Sequence, residues 1–99
     1  MRITIKPSAL KHGITDTEIR TVISFPAHRI SLTARRVGTS PMLHIGTAAE
    51  GEPYIEVIAD LADADEAVVF HAMMLRRSLV AALGIDELIG NTTYVTQRK

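Results

Sequence analysis

Hydrophobic residues follow two different periods along the chain. Ile3 and Ile5 alternate with polar neighbours over residues 2–5, a short β-like run that Pro7 ends. Residues 8–12 leave room for one helical turn, with Gly13 where a helix end accepts a left-handed residue. Thr15, Asp16, Thr17 and Glu18 then spell a capping box, in which the Thr hydroxyl and the Glu carboxylate each satisfy an otherwise orphan amide. Ile14 and Ile19 stand at the spacing of a hydrophobic staple, Ile19, Val22 and Ile23 form an apolar stripe at helical spacing, and Pro26 stops the helix.

From Pro26 the period changes to two. The alternation predicts strands over 28–33, 42–47, 54–61 and 66–72, with 34–41 as a loop or hairpin end and turns at 50–53 and 63–66. In the third strand Glu56 and Asp60 share a face with Tyr54 and Ile58. In the fourth, alternation puts Val68, Phe70 and Ala72 on one face and Val69, His71 and Met73 on the other. Leu75, Leu79 and Leu83 repeat every four residues, so a helix is expected over 74–83 with Gly84 at its end, and 85–89 adds another turn. Residues 91–99 read as a polar tail, mobile or forming an edge strand, after a single domain over 1–90. Helices, a run of strands, then a helix is the α+β order, with an antiparallel sheet of about four strands and helix 15–24 on one face.

Composition narrows the class. With 99 residues the chain holds one core, and with two Tyr, two Phe and no Trp that core must be aliphatic. Without cysteine there is no disulfide, thiol catalysis or cysteine zinc site. No apolar run approaches the roughly 18 residues of a membrane span, and the first residues lack the apolar stretch of a secretory signal, so a soluble cytoplasmic protein with no membrane partner is expected. The zero net charge conceals segments of +5 over 1–36, −7 over 37–66 and +2 over 67–99. That asymmetry fits a polarised surface and neither supports nor excludes a nucleic-acid partner.

Candidate chemistry is sparse. His12, His28, His44 and His71 lack the close spacing of a metal motif, so no metal is expected, and no cofactor motif such as a glycine-rich phosphate loop or a nucleophile elbow is present. Acidic residues cluster in turns, where they read as solvated caps. The most informative stretch runs from Phe70 to Arg77, joining the most β-prone strand to a helix. His71 at the strand end and Arg76 five residues on can lie on one side of that junction. Histidine moves protons near neutral pH and arginine forks onto phosphate, two parts of an RNA-cleaving site. The plainer reading of the same spacing is a half-buried histidine beside an exposed helix residue. Lys11 with His12, Arg35 with Arg36, and Arg77 are further candidates for RNA phosphate, or else solvated cations. Met73 and Met74 suit a core or a partner contact.

The order of short motifs resembles the BrnT-like group of small bacterial toxins, within the RelE/ParE superfamily. Ala9-Leu10-Lys11-His12-Gly13-Ile14 followed by Glu18-Ile19 is similar to the opening of actinobacterial members. Leu43-His44-Ile45-Gly46 looks like the group's L-x-I-G strand, and Gly51 with Tyr54-Ile55-Glu56-Val57-Ile58 like its middle strand. Val69-Phe70-His71-Ala72 with Leu75-Arg76 resembles its close. The likeness covers roughly residues 3–84. It implies a RelE/BrnT-like α+β domain that cleaves RNA, free or on the ribosome, and so inhibits translation. It also implies neutralisation by a cognate antitoxin, often of ribbon-helix-helix type. By position it places His71, Arg76 and Glu56 at the catalytic centre, and Lys11 and His12 on the opening motif. A non-catalytic interaction module and a ParE-type gyrase poison are the competing expectations. The basic first third and the methionines suit an acidic or amphipathic antitoxin segment, or pairing of two copies when the antitoxin is missing.

Overall fold

The computed structural model describes residues 1–98; Lys99, the last residue of the expected tail, lies outside them. Among these residues the chain forms β1 (Arg2–Ile5), α1 (Pro7–Leu10), α2 (Asp16–Ser24), β2 (His28–Ser31), β3 (Pro41–Thr47), β4 (Tyr54–Asp60), β5 (Glu66–Met74), α3 (Arg77–Leu83) and α4 (Asp86–Ile89). No helix among them is long and apolar enough to cross a membrane. The architecture is α+β, as the element order implies.

The four expected strands pair antiparallel, β2 with β3, β3 with β4 and β4 with β5. The expectation of a four-stranded, wholly antiparallel sheet needs one correction. β1 joins as a fifth strand beside β5 and parallel to it, Arg2 opposite Glu66 and Ile5 opposite Val69, giving a mixed sheet of order β1-β5-β4-β3-β2. β1 pairs the first half of β5, whose N–H and C=O groups would otherwise form a bare edge. It also adds Ile3 and Ile5 to the core that Ala67 and Val69 line.

Helices cover both faces, and each face has its own core. Ile19, Val22 and Ile23 of α2 and Ala9 of α1 pack on Ile55, Val57 and Ala59 of β4 and on Ala67, Val69, Ala72 and Met74 of β5. On the other face Val80 of α3, Ile89 of α4 and Leu75 pack on Leu43 and Ile45 of β3, with Ile58 and Tyr54 at the margin. Burial of each large aliphatic side chain contributes about 1.5–3 kcal/mol. The capping box forms at the start of α2: the Glu18 N–H donates to Thr15 Oγ1 at 3.2 Å, and the Thr15 N–H to Glu18 Oε1 at 3.0 Å.

β2 stops at Ser31, two residues short of expectation, β3 starts one residue early at Pro41, β4 ends one residue early at Asp60, and the largest difference lies at the β5–α3 junction. β5 continues to Met74 and α3 begins only at Arg77, because sheet contacts outweigh the leucine repeat. The Leu75 N–H donates to the Tyr54 carbonyl at 3.0 Å, and Arg76 stays extended with its N–H on the Glu56 carboxylate. The polar segment 91–98 forms no strand and is tied to the body. The Gln97 side-chain amide bonds both the N–H and the C=O of Met74, at 2.9 and 2.8 Å, and Tyr94 packs into the second core. Arg98 pairs with Glu18, holding that carboxyl down at about 2.

Candidate functional site at the bulge of β5

The site is made by an irregularity. Ala59 pairs with Val69 and Ile58 with His71, so Phe70 has no partner of its own on β4. This bulge breaks the simple alternation expected for the strand. Val69 and Ala72, three residues apart, both enter the α1–α2 core. Ala72 therefore does not share a face with Val68, as alternation would have it, and His71 turns toward Glu56 on the opposite face. Two bonds from the N-terminal segment secure the irregular stretch: the Lys6 N–H donates to the Val69 carbonyl at 2.9 Å and Ser8 Oγ to the Phe70 carbonyl at 2.8 Å.

Glu56 is the hub. It sits in the middle of β4, flanked by β3 and β5, and is 0% exposed. His71 Nε2 lies 2.8 Å from its Oε2. The Arg76 backbone N–H donates to Oε1 at 2.8 Å, Arg76 Nε to both oxygens at 3.1 Å, and Arg76 Nη2 to Oε2 at 2.7 Å. Burial pushes the carboxyl up, but the bonds from His71 and Arg76 and the guanidinium charge outweigh it and hold it below the ordinary carboxylate range. The same bonds raise Arg76. His71 and Arg76 are partly open to solvent, with side chains 22% and 36% exposed.

His12, in the turn after α1, meets His71 edge-on, with ring centroids 6.2 Å apart and planes at 63°. Its loop is bounded by the capping box at Thr15 and braced from the chain end, where Arg98 reaches Glu18 and the Gly13 carbonyl.

Of the residues expected in a site, the structure thus brings together His71, Arg76, Glu56 and His12. Lys11 is exposed and precedes His12 in the chain. The remaining cations lie apart. Arg35 and Arg36 are exposed in the loop between β2 and β3, two strands removed from β5. Arg77 lies over the Tyr94 ring, 4.5 Å from its centroid, and so turns to the chain end rather than to Glu56. Gln97 and Arg98 are not legible in the sequence, since two polar residues near a chain end carry no periodic signal. Glu56 did carry one: a carboxylate between Ile55 and Val57 in a strand needs a buried partner.

The arrangement has a definite protonation logic. An ionised carboxylate only accepts, so His71 donates through Nε2 to Glu56. In the neutral ring Nδ1 then carries the lone pair, ready to take a proton. Arg76 Nη1 has no partner among the described hydrogen bonds, which leaves one fork of the guanidinium for an anion. Comparison of the chain with protein-family models, with curated proteins and with solved structures finds no match.

Proposed function

We propose that the protein is the RNA-cleaving toxin of a type II toxin–antitoxin pair, with the RelE/BrnT-like fold that its motif order resembles. The observation that carries this reading is the bond from His71 to buried, ionised Glu56 with His12 edge-on beside it. Two adjacent imidazoles supply what RNA transphosphorylation needs without a metal. His71 Nδ1 takes the proton of a 2′-hydroxyl, that oxygen bonds to the adjacent phosphorus, the bond from phosphorus to the 5′ oxygen breaks, and His12 returns a proton to the leaving oxygen. The products are a 2′,3′-cyclic phosphate and a 5′-hydroxyl. Glu56 fixes the His71 tautomer and stabilises the imidazolium. Arg76 Nη1 and Lys11 offset charge on the phosphorane, and Arg35, Arg36 and Arg77 contact RNA backbone farther out. An antitoxin covering the cationic side of the site would silence it, and two copies would pair there in its absence. The cytoplasm is where such a toxin meets its RNA.

The test is cleavage of a fluorophore-labelled single-stranded RNA by the purified chain, with the cyclic phosphate identified by mass spectrometry. His71→Ala is expected to lower the rate about 10²–10⁴-fold. His12→Ala is expected to slow cleavage of RNA more than cleavage of a substrate with an activated aryl leaving group, the signature of the lost acid. A His71→Ala protein that cleaves as fast as the parent sinks the assignment. A second reading, a non-catalytic partner-binding domain, is favoured by the commitment of the Arg76 N–H, Nε and Nη2 to Glu56, as in a structural brace. It requires that the unsubstituted chain leave RNA intact.

A further inference from the structure

The chain has two phenylalanines and neither is in a core: Phe25 is 80% exposed and Phe70 38%. Phe25 ends α2, where exposure follows from the helix stopping. Phe70 lies inside the most apolar strand, beside wholly buried Val69, and the fold expels it by the bulge. Val69 and Ala72 both turn into the α1–α2 core, so Phe70 and His71 are left as neighbours outside it, and Phe70 belongs to neither hydrophobic cluster. The bulge is pinned by Lys6 and Ser8, at the start of α1, through Val69 and Phe70 themselves. Two lysines belong to the segments that meet this stretch: the backbone of exposed Lys6 bonds Val69, exposed Lys11 precedes His12, and neither ammonium forms an ion pair among the described residues. A part-exposed phenyl side chain with unpaired lysines on the adjoining segments fits an unpaired nucleobase and its phosphate. A purely apolar partner would leave those cations unused.

We propose that Phe70 is a stacking platform for an unpaired base, so that the site takes single-stranded nucleic acid and delivers the phosphate next to the stacked base to His71 and His12. This rests on the reading of the histidine pair as an RNA-cleaving centre. A base inside a duplex is already stacked on its neighbours and has no free face to offer, so duplex RNA is a poor ligand.

The chain has no tryptophan, which makes Phe70→Trp a reporter with a single indole. The probe is a short 2′-O-methyl RNA of mixed sequence, which binds but lacks the attacking hydroxyl. Its addition is expected to quench the indole emission of the Phe70→Trp variant, with affinity equal to or tighter than that of the parent chain measured by fluorescence anisotropy. Phe70→Leu keeps the apolar bulk and loses the aromatic face; it is expected to bind about 5- to 100-fold more weakly, with an unchanged thermal melt. The same strand annealed to its complement is expected to bind more weakly than the single strand. Binding by Phe70→Leu equal to the parent overturns the proposal, as does unaltered emission at saturation or a parent chain that does not bind the probe. If Phe70→Leu instead loses self-association while still binding RNA, the residue is a protein contact and the proposal fails. Cleavage is read separately. Unimpaired cleavage by Phe70→Leu removes the platform and leaves the histidine centre standing. Aromatic-dependent binding by a parent chain that cannot cleave supports the platform and removes the cleavage reading.

Discussion

Glu56 and His44 are both buried in the sheet, one on each face, at 0% and 2% exposure. They reach opposite charge states. Glu56 has a guanidinium, an imidazole and a backbone N–H within 3.1 Å, and these hold its charge against the cost of burial. His44 lies opposite Val57 on the α2 side of β3. Burial pushes it below the ordinary histidine value; the Val57 and Met42 carbonyls oppose that shift, and Arg29 adds to it. No carboxylate among the described residues reaches His44 to favour the cation. Burial sets the cost of a charge, and the partners within reach decide whether the charge survives. The face that keeps its charge is also the one that opens to solvent, at His71 and Arg76.

The largest effect is expected from removing the guanidinium. Arg76→Ala leaves the Glu56 carboxylate buried with His71 as its remaining side-chain partner, and should cost about 3–5 kcal/mol in urea unfolding. In that variant Glu56 should also gain a proton at a higher pH than in the parent. A loss below about 1 kcal/mol would mean that water reaches the carboxylate once the guanidinium is gone.

His44 gives the next effect, with the sign set by its lowered value. Above the ordinary value of 6.5 the ring is neutral in both folded and unfolded chains, so it contributes no pH dependence. Below 6.5 the unfolded chain binds a proton that the folded one refuses, and stability falls as pH drops toward the lowered folded value. The slope cannot exceed about 1.4 kcal/mol per pH unit for one proton. His44→Leu should flatten this part of the stability–pH curve, while Glu56→Gln should leave it in place. Equal slopes in parent and His44→Leu would contradict the neutral, buried assignment.

Glu18 gives the smallest effect, because its ion pair with Arg98 is partly open to solvent. Its carboxyl, held at about 2 against an ordinary 4.5, contributes stability above pH 4.5 that is lost as pH falls from there toward 2. Arg98→Ala should cost about 0.5–1 kcal/mol at neutral pH and less at high salt. It should also broaden the His12 resonances in an NMR spectrum while leaving those of His44 unchanged, since the pair braces the loop that carries His12. A double-mutant cycle with Glu18→Gln isolates the pair from other changes.

Local features were legible before the fold was known. The capping box at Thr15 and Glu18, the apolar stripe of Ile19, Val22 and Ile23, the stop at Pro26 and the left-handed Gly84 closing α3 each depend on residues within one or two helical turns. The four antiparallel strands followed from their period-two patterns. The parallel pairing of Arg2–Ile5 with residues more than sixty positions away did not, because nothing near β1 specifies which edge it will complete. His71 and Arg76 could be named as a pair because they are close in sequence. His12 could be named only as one half of a basic pair.

The set of elements, the apolar stripe of α2 and the aliphatic nature of the cores were all written in the order of residues, since they depend on short-range periodicity and on side-chain type. Three things arose only on folding: the bulge of β5 at Phe70, the arrival of His12 beside His71, and the closure of the chain end on Met74 and Glu18. Each depends on contact between segments that carry no mark of one another. The bulge gains by seating both Val69 and Ala72 in one core, and that gain exists only once α1 and α2 have covered the sheet.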